Sequence, residues 1–196
     1  MPIDDVRVLS NISTGELGQT LAKELANKGA KVTVLEGPVP QALKLKSVRV
    51  LKFRFFDELQ RLLNQELKKK YDVIIHAAAV SDFRLKRVFM TKLGSGKRLK
   101  LELVPTPKLI ESIKRKNPNA FLVGFKLEPN LSPNSAKGFA RDLFKKAKCD
   151  LVVANSVSRG KYQGYIINRQ HILIYEKTKK QLTQILVKIL TKINNK

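Results

Sequence analysis

Five short apolar runs, separated by stretches of helical periodicity, set the fold class of this chain. Lys31–Leu35 (KVTVL), Ser47–Lys52, Asp72–His76 (DVIIH), Ala120–Gly124 and Asp150–Ala154 are each five or six residues long, the length of strands rather than helices. DVIIH is continuously apolar, the pattern of a strand covered on both faces. After the polar segment 11–16, Leu17, Leu21, Ala22 and Leu25 recur at helical spacing, and Gly29 follows as a stop. Strands alternating with helices predict an α/β fold with a mostly parallel sheet flanked by helices.

The helix starts are written in side-chain chemistry. Ser13-Thr-Gly-Glu16 predicts a capping box. Asp57 is expected to cap a helix running to about Lys70. Thr106-Pro107 and Ser132-Pro133 each pair an N-cap with proline at the first helical position, the second opening a helix to about Lys146. Lys100–Val104 reads as a strand. Tyr165–Asn168 and His171–Tyr175 read as a C-terminal β-hairpin. Thr178-x-x-Gln181 then caps an amphipathic helix with Leu182, Ile185, Leu186, Ile189, Leu190 and Ile193 inward. Residues 77–98 lack clear periodicity and read as a long functional loop.

At 196 residues the chain is expected to be one domain, 1–196. Its charge is the compositional oddity: 39 Lys and Arg against 16 Asp and Glu, formally +23. That balance points to an anionic partner, whether nucleic acid, an anionic membrane surface or a phosphorylated substrate. No apolar run approaches the roughly 20 residues of a membrane span, and the start MPIDDVRVLSN lacks an apolar signal core. With one cysteine, Cys149, no internal disulfide framework is available. A cytoplasmic protein is expected.

Ligands of open α/β sheets bind beyond the strand carboxyl ends, which directs attention to the loops after His76, Val104, Gly124 and Ala154. Asn11–Gly18 (NISTGELG) leads a polar turn into a helix N-terminus, where amides and the helix dipole favour an anion. The same pattern is also that of a plain capped helix. It is neither a Walker A loop nor a GxGxxG fingerprint. His76–Phe83 (HAAAVSDF) leaves its strand through small residues that let a flat ligand approach, with Asp82 beyond them as an acceptor. Residues 84–116 carry eleven basic residues and two acidic ones, a net of +9, and include the Gly/Ser stretch Lys92–Lys97. In Gly124-Phe-Lys-Leu-Glu128 the glycine allows close approach, Phe125 offers a stacking face and Lys126 a charge. Asn155 ends the next strand as a lone polar group.

The order DDVRVLSNISTGELG, DVIIHAAAVSDF, TKLGSGKRLKLELVPTPKLI, FLVGFKLE and CDLVVANSV resembles the phosphopantothenate–cysteine ligase family across nearly the whole chain. GFKLE is closer to its stand-alone forms than to bifunctional bacterial ones. The resemblance implies a modified Rossmann-like fold, usually dimeric. It implies that cysteine is joined to 4′-phosphopantothenate through an acyl nucleotide made from CTP or ATP. Asn11 matches the family asparagine needed for turnover of that intermediate, and Lys92 the lysine of an active-site lid at 84–98. Asp82, Pro107, Lys108, Leu109 and Phe125 match nucleotide contacts, with Ala78 and Lys126 beside them. Ser13, Gly15 and Asn155 fall with Asn11 on the phosphopantothenate side. Mg²⁺ is expected to be held by phosphates and water.

The match has departures. Family members carry a strand ending in Gly-Gly-Thr just before the segment matching Pro2–Arg7, and this sequence starts after it, as from a truncation or a misplaced start. Leu143 and Ala147 stand where bifunctional members carry lysines, and Ser156 stands where many carry aspartate. The competing reading is a basic nucleic-acid-binding protein on a degenerate Rossmann-like scaffold. It rests on +23 alone; only 7% of residues are aromatic and no nucleic-acid motif is present. A dehydrogenase lacks the glycine fingerprint, and Tyr175 and Lys179 straddle a strand end instead of sharing a helix.

Overall fold

A computed structural model describes residues 1–96 and 98–193. Lys97, one end of the Gly/Ser stretch, lies outside the described residues. The elements run α1 (Glu16–Asn27), β1 (Val32–Glu36), β2 (Val48–Lys52), α2 (Phe56–Glu66), β3 (Val73–His76), β4 (Phe83–Leu85), β5 (Leu103–Pro105), α3 (Leu109–Lys116), β6 (Phe121–Leu127), α4 (Pro133–Lys146), β7 (Leu151–Ser158), β8 (Lys161–Ile167), β9 (Ile172–Glu176) and α5 (Lys179–Ile193).

The main sheet has the order β3-β6-β7-β8-β9, with β3, β6 and β7 parallel and β7, β8 and β9 antiparallel. β1 and β2 form a separate parallel pair, and β4 and β5 a short antiparallel one. One face of the main sheet is covered by α2, α3 and α4, whose Leu59, Leu63, Leu109, Ile113, Ala140 and Phe144 pack on Leu122 and Val152. The other face is covered by α1 and α5, where Leu21, Leu182, Leu186 and Leu190 pack on Val123, Val153 and Ile166. Leu122, Val123, Val152 and Val153 are fully buried. Burying such side chains contributes roughly 1.5–3 kcal/mol each, so the centre of the sheet holds the fold.

The α/β architecture with its C-terminal hairpin and helix is as expected. Several local starts are not. No capping box forms at Ser13–Glu16: the N-cap of α1 is Gly15, left-handed at φ 71°, with no side-chain cap. A Cβ at Gly15 would lie 2.6 Å from Val39 Cγ1, so glycine is required there for space as well as for φ. Asp57 lies inside the first turn of α2, which is preceded by Phe55 and ends at Glu66, short of Lys70. Thr106 does not cap α3; its hydroxyl donates to the Ser81 carbonyl at 2.6 Å, and the helix starts two residues later behind Lys108. Ser132 does cap α4, with Ser135 as the reciprocal partner. The stretch 77–98 is not all loop, because Phe83–Leu85 pairs with Leu103–Pro105. β7 and β8 form a further hairpin, turning at Arg159 and Gly160, both at positive φ.

Candidate functional site

Two rims of the parallel sheet compete for attention. At the amino ends of β3, β6 and β7 lies a cavity of about 460 Å³ lined by Asp72, Lys114, Asn119, Phe121, Asp150 and Ile193. Two of its charged groups are already engaged with each other: Lys114 Nζ lies 2.6 Å from Asp150 Oδ2, which also accepts the Leu122 amide. The carboxyl-end rim carries the sequence's candidate residues, and they are more exposed.

There the loop after β3 is met by two other segments. Asn11 Nδ2 donates to the Ala79 carbonyl at 3.1 Å, which joins the turn before α1 to the small-residue exit of β3. Three residues further along the loop, Lys108 Nζ lies 2.5 Å from Asp82 Oδ1, with both side chains more than half exposed. The Thr106 amide and hydroxyl bond to Asp82 and Ser81 carbonyls, fixing the β5–α3 corner against that loop. Asn11, Ala78, Asp82 and Lys108 therefore share one neighbourhood. Ser13 and Gly15 stand at the open N-terminus of α1, where Ser13 Oγ reaches only the Gly15 amide, at 3.4 Å. The first amides of α1 point outward with the positive end of the helix dipole, a geometry suited to an anion.

Other candidates divide between the faces of the sheet. Phe125 packs with the α1–α5 cluster. Lys126, the next residue of β6, lies on the α4 side, with Nζ 5.7 Å from the Phe139 ring and 2.8 Å from Glu128 Oε1. Adjacent strand residues point to opposite faces, so the two do not line one wall. Leu109 is buried in the core cluster, which leaves Pro107 and Lys108 as the exposed part of that corner. Asn155 does not end its strand: it is half-buried within β7, opposite Gly164, and the strand runs on to Ser158. Gly124 serves packing rather than ligand approach: a Cβ there would lie 2.8 Å from Cys149 Sγ, with Ile110 Cδ1 at 3.2 Å.

The acid–base inventory of the sheet is inert. Burial lowers His76 to about 4, so it is neutral at neutral pH. Burial, with the Asp150 charge second, pushes the Cys149 thiol up to about 12. Neither suits proton transfer or nucleophilic attack near pH 7. Among the described residues, no group of three or more His, Cys, Asp and Glu side chains is placed to hold a metal ion. No described helix is long and apolar enough to cross a membrane.

Lys92 is exposed on the segment between β4 and β5, where Lys86 pairs with Glu102 at 2.8 Å. Sequence reasoning missed what holds that segment. Ile3 accepts the Phe89 amide, and Asp4 and Arg7 engage the main chain of Leu93. The signal was the pair of opposite charges in IDDVR, but its partner lies far along the chain.

Residues 1–192 match the DNA/pantothenate metabolism flavoprotein C-terminal domain. The chain belongs to that family. It is 41% identical over 158 residues, 79% of its length, to the coenzyme A biosynthesis bifunctional protein CoaBC of Thermococcus kodakarensis, and spans 38% of that protein. It is 34% identical over 202 residues to the corresponding Borreliella burgdorferi protein, with 96% of the chain and 49% of that protein covered. The chain thus spans half or less of these curated relatives. In fold it is similar to the DNA/pantothenate metabolism flavoprotein from Streptococcus pneumoniae, with a TM-score of 0.86, 22% identity, and coverage of 97% and 93% of the two chains. A Cab2 mutant solved in complex with phosphopantothenate-cysteine shares the fold at a TM-score of 0.79 and 17% identity, over 99% and 83% of the two chains. The family resemblance carried by the motifs therefore stands, and so does the fold class it implied.

Proposed function

We propose that the chain joins cysteine to 4′-phosphopantothenate through an acyl-nucleotide intermediate, in coenzyme A biosynthesis. The observation that carries this reading is family membership over residues 1–192, together with relatives named as coenzyme A biosynthesis proteins. The activating nucleotide is CTP or ATP, and Mg²⁺ enters with it, held by its phosphates and water. Asp82 is paired with Lys108, and among the described residues no group of three or more His, Cys, Asp and Glu side chains is placed to hold a metal ion, which fits a metal carried by the nucleotide better than a resident one. The protein acts in the cytoplasm as a homodimer.

In this reading the pantothenate carboxylate attacks the nucleotide α-phosphorus and pyrophosphate leaves. The cysteine amine then attacks the acyl carbonyl and the nucleoside monophosphate leaves. No protein nucleophile is needed, which suits a site without a reactive cysteine or a titrating histidine. The protein contributes position and charge. Lys92 and Lys108 meet the phosphates. Ala78, Asp82, Pro107 and the main chain of Leu109 border the nucleoside, with Phe125 and Lys126 at the rim. The amide of Asn11 holds the acyl intermediate, while Ser13, Gly15 and the start of α1 receive the phosphate of phosphopantothenate beside Asn155.

Pyrophosphate release, measured with phosphopantothenate, cysteine and each nucleotide in turn, tests the reading. Asn11→Ala is expected to form acyl nucleotide and pyrophosphate but to stall before monophosphate release. Pyrophosphate release that does not depend on phosphopantothenate rejects it.

A further inference from the structure

The first nine residues form a closed turn. Met1 and Leu9 exchange main-chain hydrogen bonds, Pro2 and Val8 form an antiparallel bridge, and the Arg7 carbonyl accepts the Ile3 amide at 2.8 Å. At its centre the Asp4 side chain is fully buried. Its Oδ1 accepts the Val6 and Arg7 amides at 3.0 and 2.8 Å. Its Oδ2 accepts the amide of Leu93 at 3.0 Å and lies 3.4 Å from Arg7 Nη1. Arg7 Nη2 donates to the Leu93 carbonyl at 3.0 Å. Both main-chain polar groups of Leu93 are thus held by one acid–base pair, and a third contact, Phe89 amide to Ile3 carbonyl, holds the segment three residues before Lys92. A buried carboxylate is costly unless its lone pairs are filled, and here every donor that fills them belongs to this turn or to Leu93. The hydrogen bond from the Leu93 amide is the strongest influence on Asp4 and holds its carboxyl below the usual carboxylate range, with Val6 and Arg7 acting in the same direction against burial.

We propose that Asp4 and Arg7 are positioning residues that clamp the main chain of Leu93 and thereby fix Lys92 over the phosphates of the bound nucleotide. The same strap continues to Asn11, which is tied to Ala79, so one short segment sets the spacing between the Lys92 segment and the loop after β3. The otherwise exposed segment around Lys92 is then anchored in the nucleotide-free protein, and part of the ordering cost of binding is met in advance. The inference rests on the reading of Lys92 as a phosphate-binding lysine.

A double-mutant cycle tests it, with affinity for CTP and for ATP measured by calorimetry in the presence of Mg²⁺. Lys92→Ala is expected to weaken the preferred nucleotide about tenfold, the loss of a charge-assisted contact. Asp4→Ala is expected to weaken it about fivefold in the parent and less than about twofold in the Lys92→Ala background, because its effect passes through Lys92. Amide exchange at Leu93 should quicken in Asp4→Ala while Leu122 is unchanged. Where Asp4→Ala fails to fold, Arg7→Ala removes only the carbonyl contact and the ion pair and completes the same cycle. Equal effects of the strap variant with and without Lys92 overturn the clamp while leaving the nucleotide reading intact. A Lys92→Ala variant with unchanged affinity overturns the nucleotide reading, and the clamp with it.

Discussion

Helix α3 carries the same ion pair at both of its ends, and the two pairs have different fates. Near its last turn, Lys114 meets Asp150 at 2.6 Å with side chains 17% and 29% exposed, and Asp150 also accepts the Leu122 amide. Before its first turn, Lys108 meets Asp82 at 2.5 Å with side chains 52% and 59% exposed, and among the described residues the two side chains have no further partner. The first is woven into the main-chain bonding of β6. The second is held together by little more than its own charges, and exposed pairs of this kind are worth roughly 0–1 kcal/mol. An arriving phosphate can take Lys108 at small cost to the fold, whereas taking Lys114 strips β6 of support. The rim that is cheap to rearrange is the rim where α/β sheets bind ligands.

The contrast can be broken by substitution. The largest loss of stability is expected at the buried centre that both pairs flank: Leu122→Ala should cost about 2–5 kcal/mol in denaturant unfolding. Asp150→Ala should cost about 1–3 kcal/mol, because it leaves the Leu122 amide without its acceptor, and should leave nucleotide affinity unchanged. At the other end of α3, Lys108→Ala should weaken nucleotide binding about tenfold while lowering stability by less than about 1 kcal/mol. A Lys108→Ala variant that unfolds as readily as Asp150→Ala makes the two ends equivalent and removes the distinction.

The smallest effects are in pH. Burial lowers His76 to about 4 from 6.5. Its folded form binds a proton later than the unfolded chain does, so its contribution is complete above about pH 6.5 and declines down to about 4. Burial would raise Glu66, but hydrogen bonds from Tyr71, Lys69 and Arg49 outweigh it and hold the carboxyl at about 2, against 4.5. That contribution is complete above about pH 4.5 and is lost as pH falls toward 2. Acid unfolding should therefore show two windows, and Glu66→Gln should flatten only the lower one.

What the sequence discloses here depends on how far apart the interacting residues lie. The buried strands were legible because continuous apolar runs need no partner to be recognised. Ser132, read as a cap from the proline that follows it, does cap α4, and its partner Ser135 lies only three residues away. Thr106 looked the same locally, yet its hydroxyl is used on Ser81, 25 residues off. β4 went unread because only Leu85 of its three residues is buried. Asp82 and Lys108 were each singled out, but nothing local showed that they pair across 26 residues. The Asp4–Leu93 clamp spans 89 residues and was invisible until the fold closed it.

The most direct test follows one oxygen atom. Phosphopantothenate labelled with ¹⁸O in its carboxylate is turned over with cysteine and CTP or ATP, and the products are weighed by mass spectrometry. Attack of that carboxylate on the α-phosphorus places one labelled oxygen in the nucleoside monophosphate and none in pyrophosphate. Product formed with an unlabelled monophosphate contradicts the acyl-nucleotide route, and with it the assignment of Lys92, Lys108 and Asn11.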